Sequence, residues 1–365
     1  MTETKVWQIA AGEPARNYTQ LFLEHDIMFM GPGRYGDYNE RPEEYEKAKE
    51  MGEYTSMAIG FVRRFCKDVR EGDFILLRFQ KKVVAIGIAH PDGYRWDETF
   101  DDVYGWDLQH TRRVWWQNHL TDELNRIQDS AEGEDIFSDV PRLSTFTEVH
   151  IDRVKDRVKD LFHSIDVERD LKELPESLPA PLELDKLGEL LYQKGLPNDA
   201  VDKLTKAIEE QRRLAKWYWN IGKKSDRPKE HEVVAHMVLP FFKALGWSEQ
   251  LLAIEWKKVD LAVFSSTPTN EGNCVLICEA KGLHHGLQGV LEQAKKYYDK
   301  LKPKNCNKIL LTNGVRYHLF EHNKNGNWNP TGYLNIEKIR TNNIAPPNTN
   351  AVDTIMELTP AGIRD

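Results

Sequence analysis

Up to about residue 120, apolar positions come in short strand-like runs set among glycines and aromatics. Asp73-Phe-Ile-Leu-Leu-Arg-Phe79 and Val83-Val-Ala-Ile-Gly-Ile-Ala89 predict two strands, and the polar Gln80-Lys81-Lys82 between them predicts a hairpin. From about 121 to 228 the pattern turns polar and mainly helical. Val201, Leu204 and Ile208 recur there at helical spacing with charges on the other positions. Such a helix serves as a packing element, a spacer or part of a dimer interface. Leu174-Pro-Glu-Ser-Leu-Pro-Ala-Pro181 cannot continue a helix and reads as a linker. From residue 229 the order becomes helix–strand–strand–helix–strand. Glu230 to Leu245 is an amphipathic helix stopped by Gly246, and Pro240 predicts a kink in it or a shortened first half. Val259 to Phe264 and Cys274 to Cys278 read as strands, Leu287 to Leu301 as a helix, and Lys308 to Thr312 as a buried strand stopped by Asn313-Gly314. Arg316 to Phe320 returns as another strand, and the Asn-, Thr- and Pro-rich tail, residues 341–365, is expected to be irregular.

Composition narrows the class. The 365 residues give room for two or three domains. A hydrophobic share of 40% with 30% charged residues suits a soluble globular protein. The start, Met1-Thr-Glu-Thr-Lys-Val-Trp7, has no signal-peptide core, and no apolar run approaches a membrane span, so no membrane partner is expected. Four cysteines show neither a disulfide framework nor a paired C-x-x-C spacing, which points to a reducing, cytoplasmic setting. Cys274 and Cys278 are expected to share a strand face as core residues. The net charge of −8 argues against a protein that coats nucleic acid non-specifically. It leaves room for a nuclease, whose acidic metal ligands add negative charge.

The candidate chemistry lies on the second and third predicted elements of the last region. Asp260 is within one strand, and Glu279-Ala280-Lys281 ends the next. Residues two apart on a strand point to one face, so Glu279 and Lys281 project together, beside Asp260 if the strands pair. Two carboxylates can hold Mg²⁺ through oxygen, the metal can acidify a bound water, and a lysine can hold that water. An ordinary salt bridge between Glu279 and Lys281 would leave the same short string. The charged groups nonetheless follow the fully apolar Val275-Leu276-Ile277, where desolvation is costly without a reason.

The surrounding residues decide between these readings. Residues 229 to 325 resemble the PD-(D/E)xK nuclease superfamily, and within it the Mrr-like and type I restriction-subunit nuclease domains. The resemblance runs from the leading helix with Glu230, through Leu239-Pro-Phe-Phe-Lys-Ala-Leu-Gly-Trp247, Lys258-Val-Asp260 and Cys278-Glu-Ala-Lys281, to Gln293-Ala-Lys-Lys-Tyr297 and Leu311-Thr-Asn-Gly314. It implies Asp260 and Glu279 as ligands of Mg²⁺, with Mn²⁺ as a substitute, and Lys281 serving the nucleophilic water. Glu230 would approach the metal or orient Lys281. Gln293 and Tyr297, one helical turn apart, would line the site or touch the scissile strand, or else face solvent. His284 and His285 follow as phosphate contacts or a plain exposed loop. Gly222-Lys-Lys-Ser225 fails as a P-loop, because Trp217 stands where the upstream glycine is needed and Lys224 where Ser or Thr is needed. No NTP is therefore expected.

Something other than a motor must select the target. Residues 1 to 120 carry a high density of aromatics, the glycine-rich Gly31-Pro-Gly-Arg-Tyr-Gly36, and the Glu71-Gly-Asp73 turn into a strand. This pattern resembles the EVE/PUA-like β-barrel, which implies recognition of a modified base. Most of the aromatics would fill the barrel core. Trp106-Asp107 offers the best stack-and-read pair, provided residues 105 to 110 turn, and Tyr35 would close over it from the loop. Arg112, Arg113 and Trp116 mix guanidinium charge with an aromatic and would hold a DNA backbone.

The expected architecture is thus α+β and multidomain: a PUA/EVE-like barrel (1–120), a helical middle (121–228), an α/β restriction-endonuclease-like domain (229–340) and a tail (341–365). The expected function is modification-dependent restriction of double-stranded DNA by a homodimer. One rival is a nuclease acting on unmodified DNA or RNA. A second is a non-catalytic nucleic-acid reader with a nuclease-like fold.

Overall fold

Strands dominate both ends of the chain, in two separate six-stranded sheets. The computed structural model describes residues 4–13, 16–129, 144–154, 156–221, 228–283, 285–287, 290–346 and 349–363. They divide into two compact units: Met1–Asp102 with Trp106–Ser177, and Leu178–Asp365 with Val103–Gly105. The boundary falls inside the proline-rich 174–181 segment, where a helix cannot continue. The middle region drawn from the pattern, 121–228, is therefore shared between the units.

The N-terminal sheet runs in the order Phe146–Val149, Val6–Ala10, Phe74–Phe79, Lys82–Trp96, His110–Trp116, Ile27–Met30. The predicted hairpin is present: Phe79 pairs with Lys82 across a turn in which Gln80 has φ +55°. The expected closed barrel is not. The long strand Lys82–Trp96 slips register between Ala89 and Tyr94 and so meets His110–Trp116 in two segments. The outermost strands, Phe146–Val149 and Ile27–Met30, do not pair with each other, and the sheet stays open. Helices cover it instead. Leu124, Ile127, Val158 and Leu161 pack with Val6, Leu76, Val83 and Ile86 in one cluster.

The middle region is less helical than its polarity suggested. Phe146–Val149 is a strand, and residues 165–183 form neither helix nor strand. Side chains of the first unit hold the start of that stretch. The Arg169 guanidinium donates two 2.6 Å bonds to the fully buried Asp26, Trp115 Nε1 donates to Arg169 O at 3.1 Å, and Asp166 N donates to Gln117 at 3.0 Å.

In the C-terminal unit the strands Leu252–Trp256, Val259–Phe264, Cys274–Ala280, Lys308–Thr312, Arg316–His322 and Trp328–Asn335 lie in sequence order. All neighbours are antiparallel except Cys274–Ala280 with Lys308–Thr312, which are parallel and joined through the helix Val290–Leu301. A parallel pair needs such a crossover. The helix Asn198–Asn220 buries Val201, Leu204 and Ile208 in this unit's core, so it packs here. A register shift between Val263 and Phe264 sends Cys274 and Cys278, expected on one face, into different apolar clusters. The tail is not irregular throughout. Asn350 caps a helix, Ala351–Glu357, by accepting from Val352 N at 2.8 Å, and Val352 and Ile355 are buried beneath it.

Candidate active site

Asp260 and Glu279 enter the site on neighbouring strands. Leu261 pairs with Cys278, and one further step of this antiparallel register sets Asp260 across from Glu279. Asp260 Oδ2 accepts the Ala280 backbone N–H at 2.7 Å, which leaves its other oxygen for the site. Lys281 follows at the strand end, where its N–H donates to Thr312 O at 2.8 Å.

Glu279 is only 2% exposed, an unusual place for a carboxylate. Its Oε1 accepts from Gln293 Nε2 at 2.5 Å and from Lys281 Nζ at 3.2 Å. Its Oε2 is buried and has no hydrogen-bond partner among the described residues. Burial and the neighbouring Asp260 push its pKa up to about 7, with Lys281 acting against them. Burial also raises Asp260, countered by the Ala280 N–H and then by Lys281. For Lys281, burial works to lower the pKa, but the carboxylates of Glu279 and Glu230 outweigh it and raise the pKa.

Glu230 reaches the same lysine from the leading helix, with Oε1 3.2 Å from Lys281 Nζ. That helix is not a regular α-helix up to Pro240. An α turn at Glu230–Val233 gives way to a π turn at Val234–Val238 before α structure resumes at Leu239–Ala244. Proline lacks the N–H an α turn needs, and its ring displaces the carbonyl four residues earlier. The strand exit supports this helix from below. Gly314 has φ +81°, and a Cβ there would lie 2.7 Å from Met237 Sδ and 3.0 Å from Val233.

The structure therefore brings together Asp260, Glu279, Lys281, Glu230 and Gln293. Glu230 meets the lysine, and Gln293 fixes Glu279. Tyr297 lies behind Gln293, its hydroxyl 3.4 Å from Nε2. His285 is exposed, and His284 lies outside the described residues. Asn313, which the pattern gave only as a strand stop, also shapes the site. It is 2% exposed and donates to Leu283 O and His285 O, both at 3.3 Å, while its Oδ1 accepts Arg316 N at 2.9 Å. It thereby holds the loop that follows Lys281. The Asn-Gly pair was visible in the sequence, but its partners meet it only in the fold.

Among the described residues, no group of three or more His, Cys, Asp and Glu side chains is arranged to hold a metal. The two carboxylates still fit Mg²⁺, which keeps several waters and is commonly bound by one or two carboxylates plus phosphate oxygens. The orphaned Glu279 Oε2 beside Asp260 is the observation that favours this fit.

The glycine-rich loop that carries Tyr35 lies against Asp107, whose carbonyl accepts Gly33 N at 2.9 Å, while Arg112, Arg113 and Trp116 are engaged with backbone carbonyls elsewhere. Trp106–Asp107 forms a short extended strand instead of a turn, so the two side chains point to opposite faces and cannot share a pocket. Trp116 is 1% exposed, with Nε1 donating to Ile27 O at 3.0 Å. Arg112 donates to Phe65 O at 2.7 Å and Cys66 O at 2.9 Å, closing the end of the helix Ser56–Lys67. Burial lowers its pKa to about 10. Arg113 donates to Asp26 O at 3.2 Å and also to Lys172 O. Tyr35 is half-buried; its hydroxyl donates to Glu53 at 2.6 Å and accepts from Arg34 at 2.8 Å.

Sequence reading missed a polar cluster beneath the glycine-rich loop. His110 is fully buried and held neutral, its pKa lowered to about 4 by burial. Its Nε2 lies 3.0 Å from Pro32 O and 2.8 Å from the Tyr45 hydroxyl, and Tyr45 in turn donates to Gly36 O at 2.7 Å. Trp96 Nε1 donates to Gly33 O at 3.0 Å. Three loop carbonyls are thus fixed by side chains far away in sequence, and no local spacing announces them.

Residues 7–136 match a family model described as a domain of unknown function (DUF8426). No curated protein and no solved structure matches the chain.

Proposed function

We propose that the C-terminal unit is a Mg²⁺-dependent endonuclease that hydrolyses DNA phosphodiesters. The observation that carries this reading is the buried Glu279, one oxygen held by Gln293 and Lys281 and the other without a partner, opposite Asp260. A buried carboxylate with an unmet oxygen is costly unless a cation completes it. Asp260 and Glu279 would hold Mg²⁺, with Mn²⁺ as a substitute, and the ion would supply an acidified water and charge compensation for the phosphate. Lys281 lies between two carboxylates that keep it protonated, so it donates hydrogen bonds to the attacking water and does not act as the base. Glu230 orients the lysine, and Gln293 fixes the Glu279 rotamer.

In the same reading the N-terminal unit selects the target, giving modification-dependent restriction of double-stranded DNA by a homodimer whose two sites cut the two strands. Its support is the aromatic, glycine-loop pattern of residues 1–120 and the half-buried Tyr35 in that loop. The test is incubation of the full chain and of Asp260→Asn with Mg²⁺ and matched DNAs: unmodified, methylated, hydroxymethylated and glucosylated, with an RNA control. Cleavage by the wild type of one modified DNA alone, lost in Asp260→Asn, is the expected result. Equal cleavage of all DNAs or of RNA points to the broader nuclease. Binding without cleavage, unchanged by Asp260→Asn, points to a reader.

A further inference from the structure

Two buried thiols in the C-terminal unit take no part in the site above. Cys274 is 0% and Cys306 3% exposed, and both are free. They precede paired positions of the two parallel strands: Leu276 pairs with Lys308, and each cysteine lies two residues before its member of that pair. The register shift at this end of the Cys274 strand turns that side chain into the apolar cluster that also holds Cys306. Neighbouring strands lie about 4.8 Å apart, within the Cα separation that a disulfide spans. The loops around the pair are tied together as well, since Lys304 N donates to Glu271 O at 3.3 Å and Asn305 Nδ2 to Gly272 O at 2.5 Å.

The two thiols are also alike in their surroundings: each S–H is directed at the carbonyl two residues on, Cys274 at Leu276 O at 3.7 Å and Cys306 at Lys308 O at 3.3 Å. Interaction with Cys274 holds the Cys306 thiol below the ordinary range against the opposing effect of burial, and the same interaction together with burial pushes Cys274 up. Cys306 is accordingly the nucleophile of the pair, and Cys274 resolves.

We propose that Cys274 and Cys306 form a reversible disulfide when the folded protein meets hydrogen peroxide, making this end of the C-terminal sheet a redox-modifiable site. Cys306 sulfur attacks one peroxide oxygen, the O–O bond breaks, and the thiol proton leaves with the departing hydroxide as water. The resulting sulfenic acid is attacked at sulfur by Cys274. The S–S bond forms, the S–O bond breaks, and hydroxide departs with the Cys274 proton as a second water. Two thiols lose two electrons and two protons, and the peroxide takes up both. The site lies five residues from Glu279, roughly 16 Å along the strand, so it does not depend on the nuclease reading.

The test treats the native full chain with hydrogen peroxide, then alkylates it in denaturant with iodoacetamide and maps the peptides. The expected product is one linked peptide joining Cys274 to Cys306, with Cys66 and Cys278 alkylated. Dithiothreitol should remove the link, and the oxidised form should melt several degrees higher, because the unfolded chain is then closed into a loop. In Cys274→Ala, peroxide with dimedone should label Cys306, which now has no resolving thiol. Four alkylated cysteines in the treated wild type, a different pairing, or sulfinic acid at Cys306 without a link each overturns the proposal.

Discussion

Glu279 concentrates the testable chemistry at the scale of single residues. Its carboxyl is held near pKa 7 in the fold against 4.5 ordinarily, because burial and Asp260 oppose its charge. The folded protein therefore keeps a proton that the unfolded chain has already released. The stabilising contribution is full below about 4.5 and is lost as the pH rises through about 7. Melting of the metal-free protein should show this decline, and Glu279→Gln should flatten it, since the amide carries no charge at any pH. Added Mg²⁺ should reverse the trend in the wild type, with apparent affinity rising through the same window as the carboxylate is freed of its proton. A pH-independent Mg²⁺ affinity would remove Glu279 from the ligand set. Gln293→Ala takes away the 2.5 Å bond that fixes Glu279 Oε1 without touching either free oxygen. By the usual cost of losing the partner of a metal ligand, it should weaken Mg²⁺ binding or cleavage by about 10–100-fold. Isothermal titration with Mg²⁺ and a cleavage assay measure the two separately.

At the scale of elements, the four central strands of the sheet that carries the site were legible because their determinants are local, whereas the edge strands Leu252–Trp256 and Trp328–Asn335 were not read from the pattern. Apolar runs from Val259, Cys274 and Lys308 give buried strands, and the charges Asp260, Glu279 and Lys281 stand out against them. Pro240 marked the interruption of the leading helix, though not its form as a π turn. The open N-terminal sheet was not legible. Its outcome depends on which strands pair at the edges, and Phe146–Val149 joins from far along the chain as a partner of Val6–Ala10. The Trp106-Asp107 pocket failed for a related reason: the turn falls at Tyr104 and Gly105, with φ of +50° and +84°, one residue too early to gather the pair. Gly314 links pattern to packing. Its positive φ and the close approach of Met237 mean that an alanine would be strained in the backbone and crowded at the side chain. Gly314→Ala should destabilise the protein by about 1–3 kcal/mol. It should also lower cleavage beyond the loss in folded fraction, because the displaced helix carries Glu230. A urea titration gives the first quantity, and activity per folded molecule gives the second.

At the scale of the molecule, the boundary at 177/178 specifies which pieces can stand alone. A fragment of residues 1–125 contains nearly all of the aromatic pattern but omits Phe146–Val149. Without that strand Val6–Ala10 becomes a sheet edge, and Trp7, fully buried and stacked on Phe146 at 5.1 Å, loses its cover. Val158, Leu161 and Phe162, which close the cluster over Val6 and Leu76, go as well. Exposed apolar surface beside an unpaired edge favours aggregation over folding. Residues 1–177 keep all of these and also the Arg169–Asp26 pair. We therefore expect 1–177 to unfold in one cooperative, reversible step and to bind DNA without cutting it, whereas 1–125 should be insoluble or lack a cooperative transition. The ion pair tests the same logic inside the longer fragment. Asp26 is 0% exposed and Arg169 28%, so Arg169→Ala strands a carboxylate in the interior while the lost partner was partly wet. The cost should sit near the low end for breaking a buried pair, about 3 kcal/mol. A urea titration of 1–177 and its Arg169→Ala form reads this difference directly. A change within error would mean that the Arg169–Asp26 pair contributes nothing to the stability of the unit, and that the segment is held by its backbone bonds to Trp115 and Gln117.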